Sequence, residues 1–153
     1  MRLLCFLVFT VPFLLVSCST TAMVKVDTLV PVNRSMEDVR YALQLSANQY
    51  DWRIESDTPG SMVLKLDTRS HMVKVKIKYS AKKYKITYMD SNNMNYDPKT
   101  QTIRRNYNKW ILNLDKYTYQ QLSSPSFKRE TTLPYSKAGK NVSTKSGKNK
   151  STR

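Results

Sequence analysis

His71-Met72-Val73-Lys74-Val75-Lys76-Ile77-Lys78-Tyr79 alternates from end to end. In an extended chain Val73, Val75, Ile77 and Tyr79 fall on one side, and Lys74, Lys76 and Lys78 on the other. A period of two with one apolar and one charged side predicts an antiparallel strand, buried on one face and wet on the other. The pattern repeats to either side. Upstream, Met62, Leu64 and Leu66 alternate with Val63, Lys65 and Asp67; before them, Trp52, Ile54 and Ser56 alternate with Arg53, Glu55 and Asp57. Downstream, Tyr84, Ile86 and Tyr88 alternate with Lys85 and Thr87. The connections are short. Thr58-Pro59-Gly60 is a turn in which Pro sets φ and Gly supplies φ > 0, and residues 67–70 and 80–83 make the other two. Four strands joined this closely predict an antiparallel meander.

Working outward, Val24, Val26, Thr28 and Val30 share one side of an earlier strand that Pro31 stops. Ser35-Met36-Glu37-Asp38 has the form of a capping box, with Ser35 as N-cap and Asp38 at N3. Met36, Val39, Leu43, Ala47 and Tyr50 then recur at helical spacing and predict a helix over 36–48. An Asn-rich loop over 90–100 follows the meander. Ile103, Tyr107, Trp110, Ile111, Leu114 and Tyr117 predict a second helix over 101–122, with Tyr107, Trp110 and Ile111 as its wedge against the sheet. Each helix has one apolar stripe and the sheet one apolar face, so both helices are expected on that face. The fold class is α+β, in the order β-α-β-β-β-β-α, spanning residues 23–122. From 123 to 153 periodicity ends, and Phe127, Leu133, Tyr135 and Val142 are too sparse for a core. This stretch reads as a basic disordered tail.

The formal net charge is +15. Residues 18–123 carry seventeen Lys and Arg against ten Asp and Glu, and residues 124–153 carry eight against Glu130 alone. Such a chain attracts polyanions. Which ones it meets depends on its address, and the first eighteen residues give one. Arg2 precedes an apolar run over residues 3–16, and Leu15-Val16-Ser17-Cys18 follows. The run fits a secretory signal and falls short of the ~18 residues a spanning helix needs.

The Leu15-Val16-Ser17-Cys18 cluster resembles the lipobox of bacterial lipoproteins. The resemblance implies a signal peptide over 1–17, cleavage between Ser17 and Cys18, a lipid on Cys18 and a short spacer over 18–22. An ordinary signal with an incidental cysteine is the competing reading. By the sorting rule of such proteins, Ser19 in place of Asp points to the outer membrane, periplasmic side. In topology the chain is similar to the TATA-binding-protein-like, or helix-grip, architecture, which also occurs in lipoprotein subunits of the outer-membrane barrel-assembly machinery. In particular residues it resembles a family of small uncharacterised lipoproteins of Gram-negative bacteria. Besides the lipobox, those residues are Trp52-Arg53-Ile54-Glu55 leading into Pro59-Gly60, the segment from His71, and the block from Asn106 to Leu114.

With Cys5 discarded and Cys18 acylated, the mature chain keeps no thiol for a disulfide or a cysteine zinc site. No catalytic motif, cofactor loop or metal spacing is present, and His71 is the one histidine, read as a strand-end surface residue. Lys74, Lys76, Lys78 and Lys85 form the candidate anion-binding face, with Glu55, Asp57 and Asp67 as the few acids near enough to balance it; a merely solvated sheet face is the plainer reading. Asn106-Tyr107-Asn108 could grip a sugar or peptide, or sit with the ring inside and the amides outside. Nucleic acid is not expected as a partner of an exported chain. The expected function is therefore non-enzymatic: an envelope lipoprotein, held in the membrane by its lipid, binding an envelope protein or an anionic lipid. The alternative is a carrier of a small ligand or lipid, with a cavity between sheet and second helix lined by Tyr79, Tyr84, Tyr88, Tyr107 and Trp110.

Overall fold

A computed structural model describes residues 19–129. Its centre is the alternating segment, strand β5 (His71–Tyr79), in a five-stranded antiparallel sheet. On one side β5 pairs with β4 (Ser61–Thr68), and β4 with β3 (Arg53–Thr58). On the other side it pairs with β6 (Lys83–Asn92), and β6 with β2 (Val26–Leu29). The order is β2-β6-β5-β4-β3, so the meander is contiguous and the early strand adds to its far edge. Register aligns the apolar positions in rows. Ile77 lies between Met62 and Ile86, and Val75 between Leu64 and Tyr88. Val73, Val75, Ile77, Met62 and Leu64 are fully buried.

Helix α1 (Met36–Gln49) and helix α2 (Asn106–Ser123) both cover this apolar face, and the opposite face is open. The α+β class and the order of its principal elements are as the sequence predicts. The capping box is present in full: Asp38 N–H donates to Ser35 Oγ at 3.1 Å, and Ser35 N–H to Asp38 Oδ2 at 3.0 Å. Buried Val39, Ala42, Leu43, Ser46 and Ala47 make the inner side of α1; Tyr107, Ile111, Leu114, Thr118 and Leu122 make that of α2. The helices pack on each other through small groups, with Ser46 Oγ 2.7 Å from Thr118 Oγ1. Trp110, expected in the wedge, is only half-buried; Tyr107, Ile111 and Leu114 carry that role.

Two carboxylates tie the helices to opposite sides of the sheet. Asp57 of β3 accepts from Arg40 Nε at 3.0 Å and from Gln44 Nε2 at 2.8 Å, both on α1. Asp115 of α2 accepts from Thr28 of β2 at 2.8 Å and from Tyr84 of β6 at 2.7 Å. Asp57 was expected beside the lysines. The register of β3 shifts between Ile54 and Ser56, so Glu55 is an extra residue. A bulge of this kind reverses the alternation beyond it, and Asp57 turns to the helix side.

Two short strands were not expected. β7 (Thr102–Arg104) lies where the second helix was expected to begin, and α2 starts only at Asn106. It pairs with β1 (Thr20–Ala22), within the stretch read as a spacer. Thr20 faces Arg104, Thr21 faces Ile103 and Ala22 faces Thr102. At the other end α2 runs past the expected boundary at 122. Arg34 donates to the carbonyls of Leu122 and Ser124 at 3.0 and 2.8 Å and lies over the ring of Phe127, which also contacts Tyr41. The first residues of the expected tail are therefore docked on α1. Cys18, Ser17 and the rest of the signal, and the tail from 130 onward, lie outside the described residues.

Candidate functional site

The open face of the sheet carries the lysines. Alternation along β5 puts Lys74, Lys76 and Lys78 there, and the pairing of Lys78 with Lys85 brings β6 into the same surface. The structure divides the four expected residues. Lys74 is half-buried and bonds Glu55 at 2.7 Å, the bulged residue of β3. That hydrogen bond holds the Glu55 carboxyl below its ordinary range. Lys65 pairs with Asp67 at 3.3 Å, Arg53 reaches Glu55 and Asp67 at 3.6 Å, and Lys83 reaches Asp27 at 3.8 Å. Near β3 the cations are thus engaged by Glu55 and Asp67, which weakens their pull on an outside anion, while Lys83 and Asp27 meet at the opposite, β2–β6 edge.

Lys76, Lys78 and Lys85 are different. None of them makes an ion pair among the described residues. Lys76 lies between Val63 and Thr87, and Lys78 between Ser61 and Lys85. Lys78 and Lys85 are exposed. Two like charges directly opposite on neighbouring strands repel. An anion seated between them removes that repulsion, and the Ser61 and Thr87 hydroxyls beside them are uncharged donors of the right kind. The arrangement suits a phosphate or carboxylate held at a surface, not a deep pocket.

The block from Asn106 to Asn108 serves the fold. Tyr107 is buried. Asn108 Oδ1 accepts from Val24 N–H at 2.8 Å, and Asn108 Nδ2 donates to the Ala22 carbonyl at 2.8 Å. The side-chain amide thereby acts as a stub of strand beside the N-terminal segment. His71 is half-buried at the start of β5, and its Nδ1 is shut from solvent without a partner. Of the five aromatic side chains expected around a cavity, Tyr84 and Tyr107 are fully or almost fully buried and Tyr79 nearly so. Tyr84 and Tyr107 fill the space between sheet and α2, while the Tyr79 hydroxyl donates to the Thr58 carbonyl of β3 at 3.1 Å. Burial pushes the hydroxyl pKa of both Tyr84 and Tyr107 well above the ordinary phenol value.

Among the described residues no cluster of three His, Cys, Asp or Glu is placed to hold a metal, and no helix is long and apolar enough to cross a membrane. No family model, curated protein or solved structure matches the chain.

Proposed function

We propose that the chain is a bacterial envelope lipoprotein that binds and does not catalyse. Residues 1–17 are its signal, cut between Ser17 and Cys18, and Cys18 carries the lipid. Two or more acyl chains suffice for stable anchoring. Ser19, where Asp would retain the protein in the inner membrane, supports an outer-membrane, periplasmic location. The likeness of the lipobox and of the block from Asn106 to Leu114 to small Gram-negative lipoproteins supports the same address.

The single observation behind the binding role is the set of three ammonium groups, Lys76, Lys78 and Lys85, on one surface and in no ion pair among the described residues; Asp27, opposite Lys85 in the register, reaches Lys83 instead. Their partner is an anionic group of the envelope, on a lipid headgroup or on an acidic patch of a protein. Retention of the chain from Ser19 to Arg153 on vesicles of anionic lipid tests the lipid source. Retention is expected to fall steeply with salt, because exposed charges are screened within about 10 Å at 0.1 M. It is also expected to fall when Lys76, Lys78 and Lys85 become Gln. Retention by an immobilised envelope extract, but not by vesicles, identifies a protein source. Loss of neither on Lys→Gln change refutes the face as the site. Separately, labelling with a fatty-acid analogue should mark the wild-type product and leave Cys18→Ser unmarked.

A further inference from the structure

A second surface lies at another end of the fold. A groove of about 430 Å³ is formed by the end of α1, the β4–β5 turn and the middle of α2. This is within the ~300–1,000 Å³ of small-ligand sites. Tyr50, Trp52 and Trp110 line it, so both tryptophans of the chain meet here, although one ends a helix turn and the other sits on α2. Trp110 and Tyr50 are half-buried, which leaves part of each ring open, and Tyr50 is steadied edge-on against Tyr117 at 6.0 Å. Trp52 is buried, and its indole N–H has no acceptor.

The polar lining is uncommitted. The side chains of Gln49, Asp51, Arg69 and Asn113 make no hydrogen bond or ion pair to any described residue. Asp51 and Arg69 also hold positive φ, 58° and 46°, in the two turns that flank the groove. By contrast, the carboxylates that tie the fold together are engaged: the Asp57 and Asp115 latches, the Glu55 network and the Asp97 turn are all satisfied. Here four are left free around three aromatic rings.

The chemistry of this lining selects a class of ligand. Asp67 is already paired with Lys65 and Arg53, and the remaining charges, Asp51 and Arg69, balance, so the lining selects neither an anion nor a cation. The polar rim disfavours a purely apolar ligand, because its groups would be desolvated without partners. A pyranose fits both parts. Its C–H face packs on aromatic rings, and its hydroxyls donate and accept in turn, matching amide, carboxylate and guanidinium together. We propose that the Tyr50–Trp52–Trp110 groove binds an uncharged oligosaccharide, with Asp51, Arg69 and Asn113 taking its hydroxyls. This site is separate from the lysine face and does not depend on it.

Both tryptophans report on the groove, so intrinsic emission is the readout. The chain from Ser19 to Arg153 is titrated with four neutral tetrasaccharides: chitotetraose, cellotetraose, maltotetraose and mannotetraose. At least one is expected to shift the emission and to bind with a Kd below about 1 mM. Asn113→Ala and Arg69→Ala, both at sites open enough to leave the fold intact, should each weaken it roughly three- to tenfold by removing one hydrogen-bonding group. Trp110→Ala should abolish it. Lys76→Gln, on the other surface, should leave the affinity unchanged. The proposal is overturned if none of the four binds at about 10 mM, a tenth as tight as expected. It is equally overturned if binding survives Asn113→Ala, Arg69→Ala and Trp110→Ala unaltered, or if only sulfated or uronic-acid oligosaccharides bind.

Discussion

Asn108, on the first turn of α2, holds Val24 through its side-chain oxygen at 2.8 Å, while its nitrogen holds the carbonyl of Ala22. One side chain thus supplies the acceptor and the donor that a neighbouring strand would have offered. Replacing it by Ala leaves two backbone groups to find water, at about 1–3 kcal/mol for any that stay buried. Asn108→Ala should accelerate amide exchange at residues 20–24 and leave the protection of β5 unchanged. Asn108→Asp keeps the acceptor and loses the donor, so it should fall between.

Core positions on β5 should dominate stability. Ile77 is fully buried between Met62 and Ile86. Ile77→Ala is expected to cost about 2–5 kcal/mol, read as a lowered urea midpoint with unchanged slope. Trp110→Ala should cost less than this despite the larger side chain, because Trp110 is only half-buried.

Stability and binding should oppose each other at Lys78. It faces Lys85 directly and has no carboxylate partner among the described residues. Lys78→Gln removes a repulsion and should leave stability unchanged or raise it by ~0.2–1 kcal/mol. The same change should weaken retention on anionic vesicles. A thermal melt and a retention assay on one variant check both halves.

At low pH the depressed carboxyls set the response. Glu55 is held below its ordinary 4.5 by Lys74, and Asp97 below its ordinary 3.8 by the Lys99 amide and the Thr100 hydroxyl. A lowered folded-state pKa gives stability that is complete above the unfolded value and lost as pH falls through the folded one. Stability should therefore fall below about pH 4.5, and Glu55→Gln should flatten that limb in melts from pH 6 to pH 2.

At high pH the sign reverses. Tyr84 and Tyr107 have folded-state pKa values raised above the ordinary 10.0 by burial. Their contribution is complete below that value and is lost as pH rises beyond it. In a phenolate absorbance titration these two should ionise only together with loss of far-ultraviolet dichroism. Tyr84→Phe removes the hydroxyl bonded to Asp115 and should reduce that late step by one group.

The sheet was readable because β4 and β5 keep strict alternation over eight or more residues, and β6 keeps it from Lys83 to Tyr88, before the register shift opposite Lys74 and Val75. The capping box at Ser35 and Asp38 marked the start of α1 by local chemistry alone. β3 misled because one bulged residue, Glu55, reverses its faces, and nothing in Arg53-Ile54-Glu55-Ser56-Asp57 announces a bulge. β1 and β7 have three residues each, too few for any period to register. Ile103 belongs to β7, yet its spacing to Tyr107 is helical, which drew the expected helix start too early. The lysine face was legible as a stripe, but which lysines stay unpaired depends on cross-strand partners. The aromatic groove was not legible, since Trp52, Arg69 and Asn113 converge only through the packing of α2 on the end of the sheet.

The pairing of Thr20 with Arg104 has a mechanical consequence. Ser19 alone, two residue steps or at most ~7 Å of extended chain, separates that locked position from Cys18. A lipid at Cys18 would therefore be attached by a stub and not by a string. The globule could neither swing freely nor search a wide volume, and its height and tilt above the bilayer would be dictated by a three-residue ladder. Lengthening the stub with a few Gly-Ser units would free the orientation without touching the fold, and any role that depends on presenting one face outward would be lost with it.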